Sequence, residues 1–410
     1  MRELDLILYG ATGFVGRLVA EHLAAAAPAD LRVGLSGRSI ERLERVRAGL
    51  GPAASEWLLA LADSGDPASL RSLAERSRVV VSTVGPYLRH GLPLAEACAD
   101  AGTDYLDLTG EVLFVRELVE RCHERAEASG ARLVVSCGFD SVPSDLSVHV
   151  LAALADERGA GGLTDTTLRV RELAGGISGG TIDSLRAQLE RAQGDPRLRE
   201  ILADPGALTG GVPVREAADA SRHFRDAETG EWAAPFVMAS YNTRLVLRSH
   251  ALRGHGCGDR FRYREIVPTG RGVGGRLRAA GLAAGVAALA AAMATPGLRR
   301  LVDAALPAPG EGPSEEVRER GYFRMVTSTR TERGDRLEAT FAAQGDPGYA
   351  ATSVMLGEAA LALAVDGERC SPRGGVLTPA TALGHVLVER LRAQGFEIEA
   401  APVREPTGAA

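Results

Sequence analysis

Residues 4–9 form a short apolar run that stops at a glycine, and residues 16–26 are amphipathic and alanine-rich, which reads as strand, glycine turn, helix. The unit then repeats. A second apolar run, 31–35, leads into Ser36-Gly37-Arg38-Ser39 and an arginine-studded helix over 40–50. A third, 57–61, ends near Asp63, and Pro67 opens the helix over 68–76, where a missing amide costs nothing. The β-branched run 79–84 stops at Gly85-Pro86, followed by a helix over 92–101, a short strand at 105–107, a helix over 112–129 and an apolar strand over 132–137. Strands alternating with helices at these lengths predict an α/β fold with a doubly wound, mainly parallel sheet over residues 1–146. Its ligand edge should lie at the strand C-termini.

After about residue 147 the texture changes. The alternating stretches 166–172, 241–249, 261–266 and 321–330 read as half-exposed strands, with 336–341 pairing back after the Arg333-Gly334-Asp335 turn. They predict a second, α+β domain over 147–345 with a mixed or antiparallel sheet. Helical patterns at 350–364 and 381–394 suggest that residues 346–398 return to pack on the first domain, leaving 399–410 as a flexible tail. Residues 279–294 carry no charge and are flanked by Arg276, Arg278, Arg299 and Arg300. This segment is shorter than the roughly 20 residues of a spanning helix. It reads as a buried or homodimer-facing helix, with a peripheral membrane contact serving a lipid substrate as the alternative.

Composition removes whole classes of function. At 410 residues with a net charge of -6, the chain is large enough for two or three packed units and offers nucleic acid no basic surface. Its five cysteines form no C-x-x-C pair and its histidines have no metal spacing, so neither disulfide framework nor metal site is expected. All 47 basic residues are arginine. Without a lysine amine there is no Schiff base, no pyridoxal phosphate anchor and no Walker A loop. The N-terminus enters a strand without the features of a signal peptide, so the cytoplasm is the expected location.

The first turn carries the strongest motif, Gly10-Ala11-Thr12-Gly13-Phe14-Val15-Gly16, a G-x-x-G-x-x-G dinucleotide loop of a Rossmann domain. Such a loop needs one glycine for the turn, one for close approach of the pyrophosphate and one for helix-strand packing, with helix amides meeting the phosphates. At the end of the second strand, where a carboxylate would bond the ribose of NAD, stand Ser36, Gly37, Arg38 and Ser39. An arginine fork and two hydroxyls suit a 2'-phosphate, so NADP(H) is the expected cofactor, unless Arg38 is only a solvated helix start. Asp63 is placed to touch the adenine, and Thr83, Val84, Gly85 and Pro86 to flank the nicotinamide ribose; a plain loop role is the alternative.

These motifs, with Ser-Thr-Val-Gly-Pro-Tyr at 82–87, Gly-Thr-Asp-Tyr-Leu-Asp-Leu-Thr-Gly-Glu at 102–111 and Cys-Gly-Phe-Asp-Ser-Val-Pro-Ser-Asp at 137–145, resemble the saccharopine dehydrogenase-like oxidoreductases. Within that group, Ser-Gly-Gly-Thr at 178–181, Ala-Pro-Phe-Val-Met-Ala at 234–239 and Gly-Asp-Pro-Gly-Tyr at 345–349 look like the trans-acting enoyl reductases of polyketide-lipid biosynthesis. The resemblance implies NADPH-dependent reduction of a C=C bond in an acyl chain, carried on a polyketide synthase. It does not imply saccharopine chemistry, because the acid/base lysine is missing. An imine or carbonyl reductase and a non-catalytic NADP-binding protein remain the alternatives.

Reduction of an enoyl group needs a proton for the α-carbon as well as hydride. Tyr87, just past the fourth strand, is the first candidate donor and Asp140 the second. Tyr105, Asp107 and Glu111 read as either functional or a structural polar cluster. The stretch containing Ser178, Gly179, Gly180 and Thr181 precedes a helix and would serve as a substrate-side loop or as a hinge.

Overall fold

Two seven-stranded sheets organise the chain, and the computed structural model describes residues 2–175, 179–215, 222–295 and 313–403. In chain order the first part runs β1 (Leu4–Tyr9), α1 (Phe14–Ala26), β2 (Val33–Gly37), α2 (Ile40–Gly49), β3 (Leu58–Leu61), α3 (Pro67–Arg76), β4 (Ser77–Ser82), α4 (Tyr87–His90), α5 (Leu92–Ala101), β5 (Asp104–Leu106), α6 (Val112–Ser129), β6 (Arg132–Val134) and α7 (Val142–Glu157). The second part runs β7 (Asp165–Ala174), α8 (Gly179–Ala192), α9 (Pro196–Ala203), β8 (Phe224–Arg225), β9 (Trp232–Pro235), α10 (Ala239–Leu252), β10 (Arg262–Gly270), α11 (Gly272–Ala294), β11 (Tyr322–Arg330) and β12 (Arg336–Gln344). After the helix Thr352–Val365, β13 (Gly375–Leu377) and β14 (Glu397–Pro402) complete the two sheets.

The first sheet has the order β13-β6-β5-β4-β1-β2-β3 and is parallel throughout. Strand order reverses at β1/β4, where a doubly wound sheet opens its ligand crevice. The sequence dictates the entries to its helices. Ser39 caps α2 by accepting from Arg42 N at 3.4 Å, and Asp66 caps α3 by accepting from Ala68 N at 3.0 Å, with Pro67 in the first turn. The helix Thr352–Val365 returns to this domain as expected. It is buried nearly throughout, and Glu358 in its middle binds His22 Nε2 on α1 (2.8 Å) and Arg390 Nε (2.7 Å).

The second sheet, β14-β12-β11-β7-β10-β9-β8, is mixed: β7 and β10 run parallel and the other pairs antiparallel. One apolar core joins Leu6 and Leu8 of the first sheet to Leu168, Phe341 and Ile398 of the second. The structure differs from the sequence expectation at three places. Residues 241–249 form helix α10, not a strand; every residue from Tyr241 to Ala251 is buried, so no polar face marks the helical period. Residues 399–402 of the expected tail belong to β14, paired with β12, while 404–410 lie outside the described residues. The apolar segment 279–294 lies in a 23-residue helix that starts at Gly272 and is mostly exposed in the single chain, so it is neither short nor buried.

Candidate active site

The chemistry collects in one cavity of about 700 Å³ between the C-terminal edge of the first sheet and the helices of the second domain. Its floor begins with the glycine loop. Gly10 has φ +90° and donates to Ser36 O at 2.9 Å, while Gly13 N returns to Gly10 O at 2.9 Å. A Cβ on Gly10 would sit 2.6 Å from Thr83 Oγ1, and one on Gly16 only 2.1 Å from Gly10 O. Both positions therefore demand glycine. Gly13, Phe14, Val15 and Gly16 line the cavity at the start of α1, which has no side-chain cap and no acidic residue in its first turn. Uncapped amides aimed into a cavity suit a diphosphate.

The specificity stretch at the end of β2 divides in two. Ser36 is fully buried, its carbonyl accepting from Gly10 N and Ala11 N, and Ser39 is occupied as the α2 cap. Gly37 packs close to Thr12, with Thr12 Oγ1 3.6 Å from where its Cβ would stand. Arg38 is exposed and presents the guanidinium of the group. Asp63 uses Oδ1 to accept from Gly65 N at 2.8 Å, shaping the β3–α3 loop beside Arg38, His90 and Tyr9. Thr83 Oγ1 donates to the carbonyls of Tyr9 and Gly10, each at 3.2 Å, tying the glycine loop to the end of β4 next to Val84. Thr83, Gly85 and Pro86 all line the cavity.

The candidate proton donors separate on geometry. The Tyr87 ring lines the cavity, but its hydroxyl donates to Ser82 O at 2.9 Å and accepts from Leu108 N at 3.4 Å. That makes Tyr87 a strut between two loops. Asp140 lines the cavity in the turn before α7. Glu111 is structural: Oε1 accepts from Tyr87 N (2.8 Å) and Ser184 Oγ (2.6 Å), and Oε2 from Leu88 N (2.7 Å). Burial raises its pKa, against the pull of these donors. Asp107 is fully buried below the cavity, and Oδ1 accepts from Ser136 N (2.9 Å) and Thr109 N (3.1 Å). The Tyr105 hydroxyl lies beside this carboxyl, and burial pushes the carboxyl up to about 7.

The roof comes from the second domain. Gly179 and Gly180 line the cavity as the first turn of α8, and Gly179 N donates to Tyr349 Oη at 3.2 Å; Thr181 continues that helix, and Ser178 lies outside the described residues. Leu185 and Leu189 of α8, Leu202 of α9, and Leu289 and Met293 of α11 make an apolar wall. The sequence reading missed Ser136, Tyr241, Arg244, Tyr349 and Thr352, all of which line the cavity. Ser136 immediately precedes the Cys137–Asp145 motif and has φ +65°, an uncommon conformation for a serine. Tyr241 and Arg244 were hidden by the strand assignment of 241–249. Tyr349 stacks edge-on against Phe14 at 5.0 Å, so the C-terminal half of the chain reaches the glycine loop.

Comparison with known proteins agrees with this geometry. Residues 6–134 match the family described as the saccharopine dehydrogenase NADP binding domain. A trans-acting enoyl reductase of Mycobacterium bovis (strain BCG / Pasteur 1173P2) is 44% identical over 406 residues, covering 96% of this chain and 97% of that protein. One from Mycobacterium ulcerans (strain Agy99) is 43% identical over 415 residues, covering 97% and 98%. Among solved structures, apo saccharopine dehydrogenase (L-Glu forming) from Saccharomyces cerevisiae superposes with a TM-score of 0.52 over 97% of this chain and 99% of its own, at 13% identity. That likeness is one of fold.

Proposed function

Because the chain belongs to the trans-acting enoyl reductases, within the saccharopine dehydrogenase-like oxidoreductases, and carries their NADP-binding domain, we propose that it reduces the C=C bond of an α,β-unsaturated acyl thioester presented by a polyketide synthase. The observation that carries this reading is the continuity of one cavity from the glycine loop to the apolar wall of α8, α9 and α11. Gly13 to Gly16 would hold the diphosphate and Arg38 the 2'-phosphate, with Thr83, Gly85 and Pro86 beside the nicotinamide ribose. NADPH bound there supplies a hydride to the β-carbon. The protein's part is to place the acyl chain against the apolar wall, exclude water and supply a proton.

The acyl end of the cavity is walled by the last turns of α11, whose outer face is open: Val273 is 75% and Leu277 68% exposed. By length and composition this helix is apolar enough to cross a bilayer. We place its exposed face instead against a lipid surface, because Val273, Leu277 and Leu282 are exposed beside Arg271, Arg276 and Arg278 and its last turns are committed to the cavity. A long acyl chain would then pass between membrane and cavity along one helix.

The test is mass spectrometry of a 2-enoyl pantetheine thioester incubated with the protein and NADPH. Gain of two hydrogens, with one deuterium transferred from 4-deuterated NADPH to the β-carbon, is the expected product. An unchanged thioester alongside tight NADPH binding would point to a non-catalytic role.

A further inference from the structure

Among the hydrogen bonds that join roof to floor, one pairs two hydroxyls inside the cavity. Tyr241, at the start of α10, places its hydroxyl 2.5 Å from Ser136 Oγ, just past the end of β6. Both side chains line the cavity, and both are almost wholly buried from bulk water, at 3% and 2% exposure. Ser136 Oγ is the one hydrogen-bond partner of the Tyr241 hydroxyl among the described residues. The contrast with Tyr87 is chemical: there the phenolic proton is committed to a backbone carbonyl and the oxygen to a backbone amide.

Several contacts fix this pair. Ser136 is held in its left-handed conformation by Asp107 Oδ1 on its amide, which turns the side chain towards α10. A non-glycine residue kept at positive φ is strained and persists only where its surroundings require it. On α10, Asn242 accepts from Ser141 Oγ (3.0 Å) and donates to Ser144 Oγ (3.2 Å) and Glu265 Oε2 (3.0 Å). Arg244 Nη2 donates to Leu202 O at 2.7 Å and its Nε to Asp204 O at 2.9 Å. The register of α10, and with it the Tyr241 ring, is locked from both sides.

We propose that Tyr241 is the proton donor to the substrate α-carbon and that Ser136 relays its replacement. The inference rests on the enoyl reductase reading given above. The C=C electron pair displaced onto the α-carbon takes the Tyr241 proton, so the phenolic O–H bond breaks as the α C–H bond forms. The phenolate then takes the Ser136 proton, and Ser136 takes one from water entering the cavity, so one solvent proton is consumed per C=C reduced. Burial holds the phenol protonated well above neutral pH, which keeps the donor loaded throughout the working range.

The test uses the full chain with NADPH and an enoyl thioester. Tyr241→Phe should lower kcat about 100-fold, as loss of a general acid does, with KM and the NADPH affinity read by nucleotide fluorescence unchanged. Protonation should become rate-limiting, so the isotope effect from 4-deuterated NADPH falls towards unity while the solvent isotope effect rises. Ser136→Gly separates hydroxyl from backbone: it relieves the positive φ, so thermal stability should hold or rise, yet turnover should fall about tenfold through loss of the relay. Intact turnover in Tyr241→Phe, or loss of turnover in Asp140→Asn alone, would overturn the assignment while leaving the reductase reading in place. Wild-type protein that never reduces the thioester would overturn the reading beneath it.

Discussion

Two helices of nearly equal mean hydropathy border the cavity and have opposite surroundings. In Pro347–Val365, 78% of the most apolar window is buried; in Gly272–Met293, only 11% is. The first packs on α1 and the first sheet and carries Glu358, which is bonded to His22 and Arg390. The second lies over β9, β10 and α8, with alanines and glycines turned outward. Apolarity alone does not decide burial. A helix is buried when neighbours with complementary charge and shape cover it, and the uncovered helix is the one free to meet a substrate or a surface.

The sharpest way to break this comparison is to truncate one side chain on each helix. Leu356→Ala, fully buried on the inner helix, should cost about 2–5 kcal/mol of stability in denaturant melts. Leu277→Ala on α11 should stay within about 0.5 kcal/mol. Equal losses would mean that α11 is covered in solution, by a second copy of the chain or otherwise.

Next in size is the cofactor end of the floor. Arg38→Ala should weaken NADPH binding by about 1.5–3 kcal/mol, the worth of charge-assisted hydrogen bonds, and leave NADH binding unchanged in parallel fluorescence titrations. Equal losses for both nucleotides would remove Arg38 from 2'-phosphate recognition.

Asp107 gives a pH signature. Its folded pKa, about 7, lies above the usual carboxylate value, so the folded state holds its proton more firmly than the unfolded chain. Stability from this group is therefore fully present below about pH 4 and falls as pH rises towards 7. Asp107→Asn keeps the acceptor for Ser136 N and removes the unpaired charge. The variant should be more stable than wild type at pH 8 by roughly 1–3 kcal/mol, and no more stable at pH 4. A constant difference across the range would contradict the buried charge.

The smallest effect concerns the open face of α11. Val273→Ser with Leu277→Ser should leave melting temperature and turnover of a short thioester unchanged, yet reduce flotation with anionic lipid vesicles severalfold. Unaltered flotation would remove the membrane contact, and a change in light-scattering mass would assign the face to a second copy.

The floor was legible in the sequence because backbone requirements write themselves as residue types. Gly10 and Gly16 leave no space for a Cβ, and Arg38 stands where an acid would otherwise be found. The roof was much less so. Residues 241–249 alternate like a strand, but α10 is buried on all sides, and a helix without a solvent face loses its period of 3.6. Ser136 and Tyr241 meet only through tertiary packing across 105 residues, which no local pattern encodes. Tyr87 attracted attention by position, and its hydrogen bonds show that position alone does not free a hydroxyl.

The most direct test is NADPH oxidation, followed by absorbance, with 2-enoyl thioesters of increasing chain length, a cyclic imine and a ketone. Turnover of the thioesters alone, with kcat/KM rising as the chain fills the apolar wall of α8 and α11, is the predicted result. Turnover of the imine or ketone in their place would contradict the account.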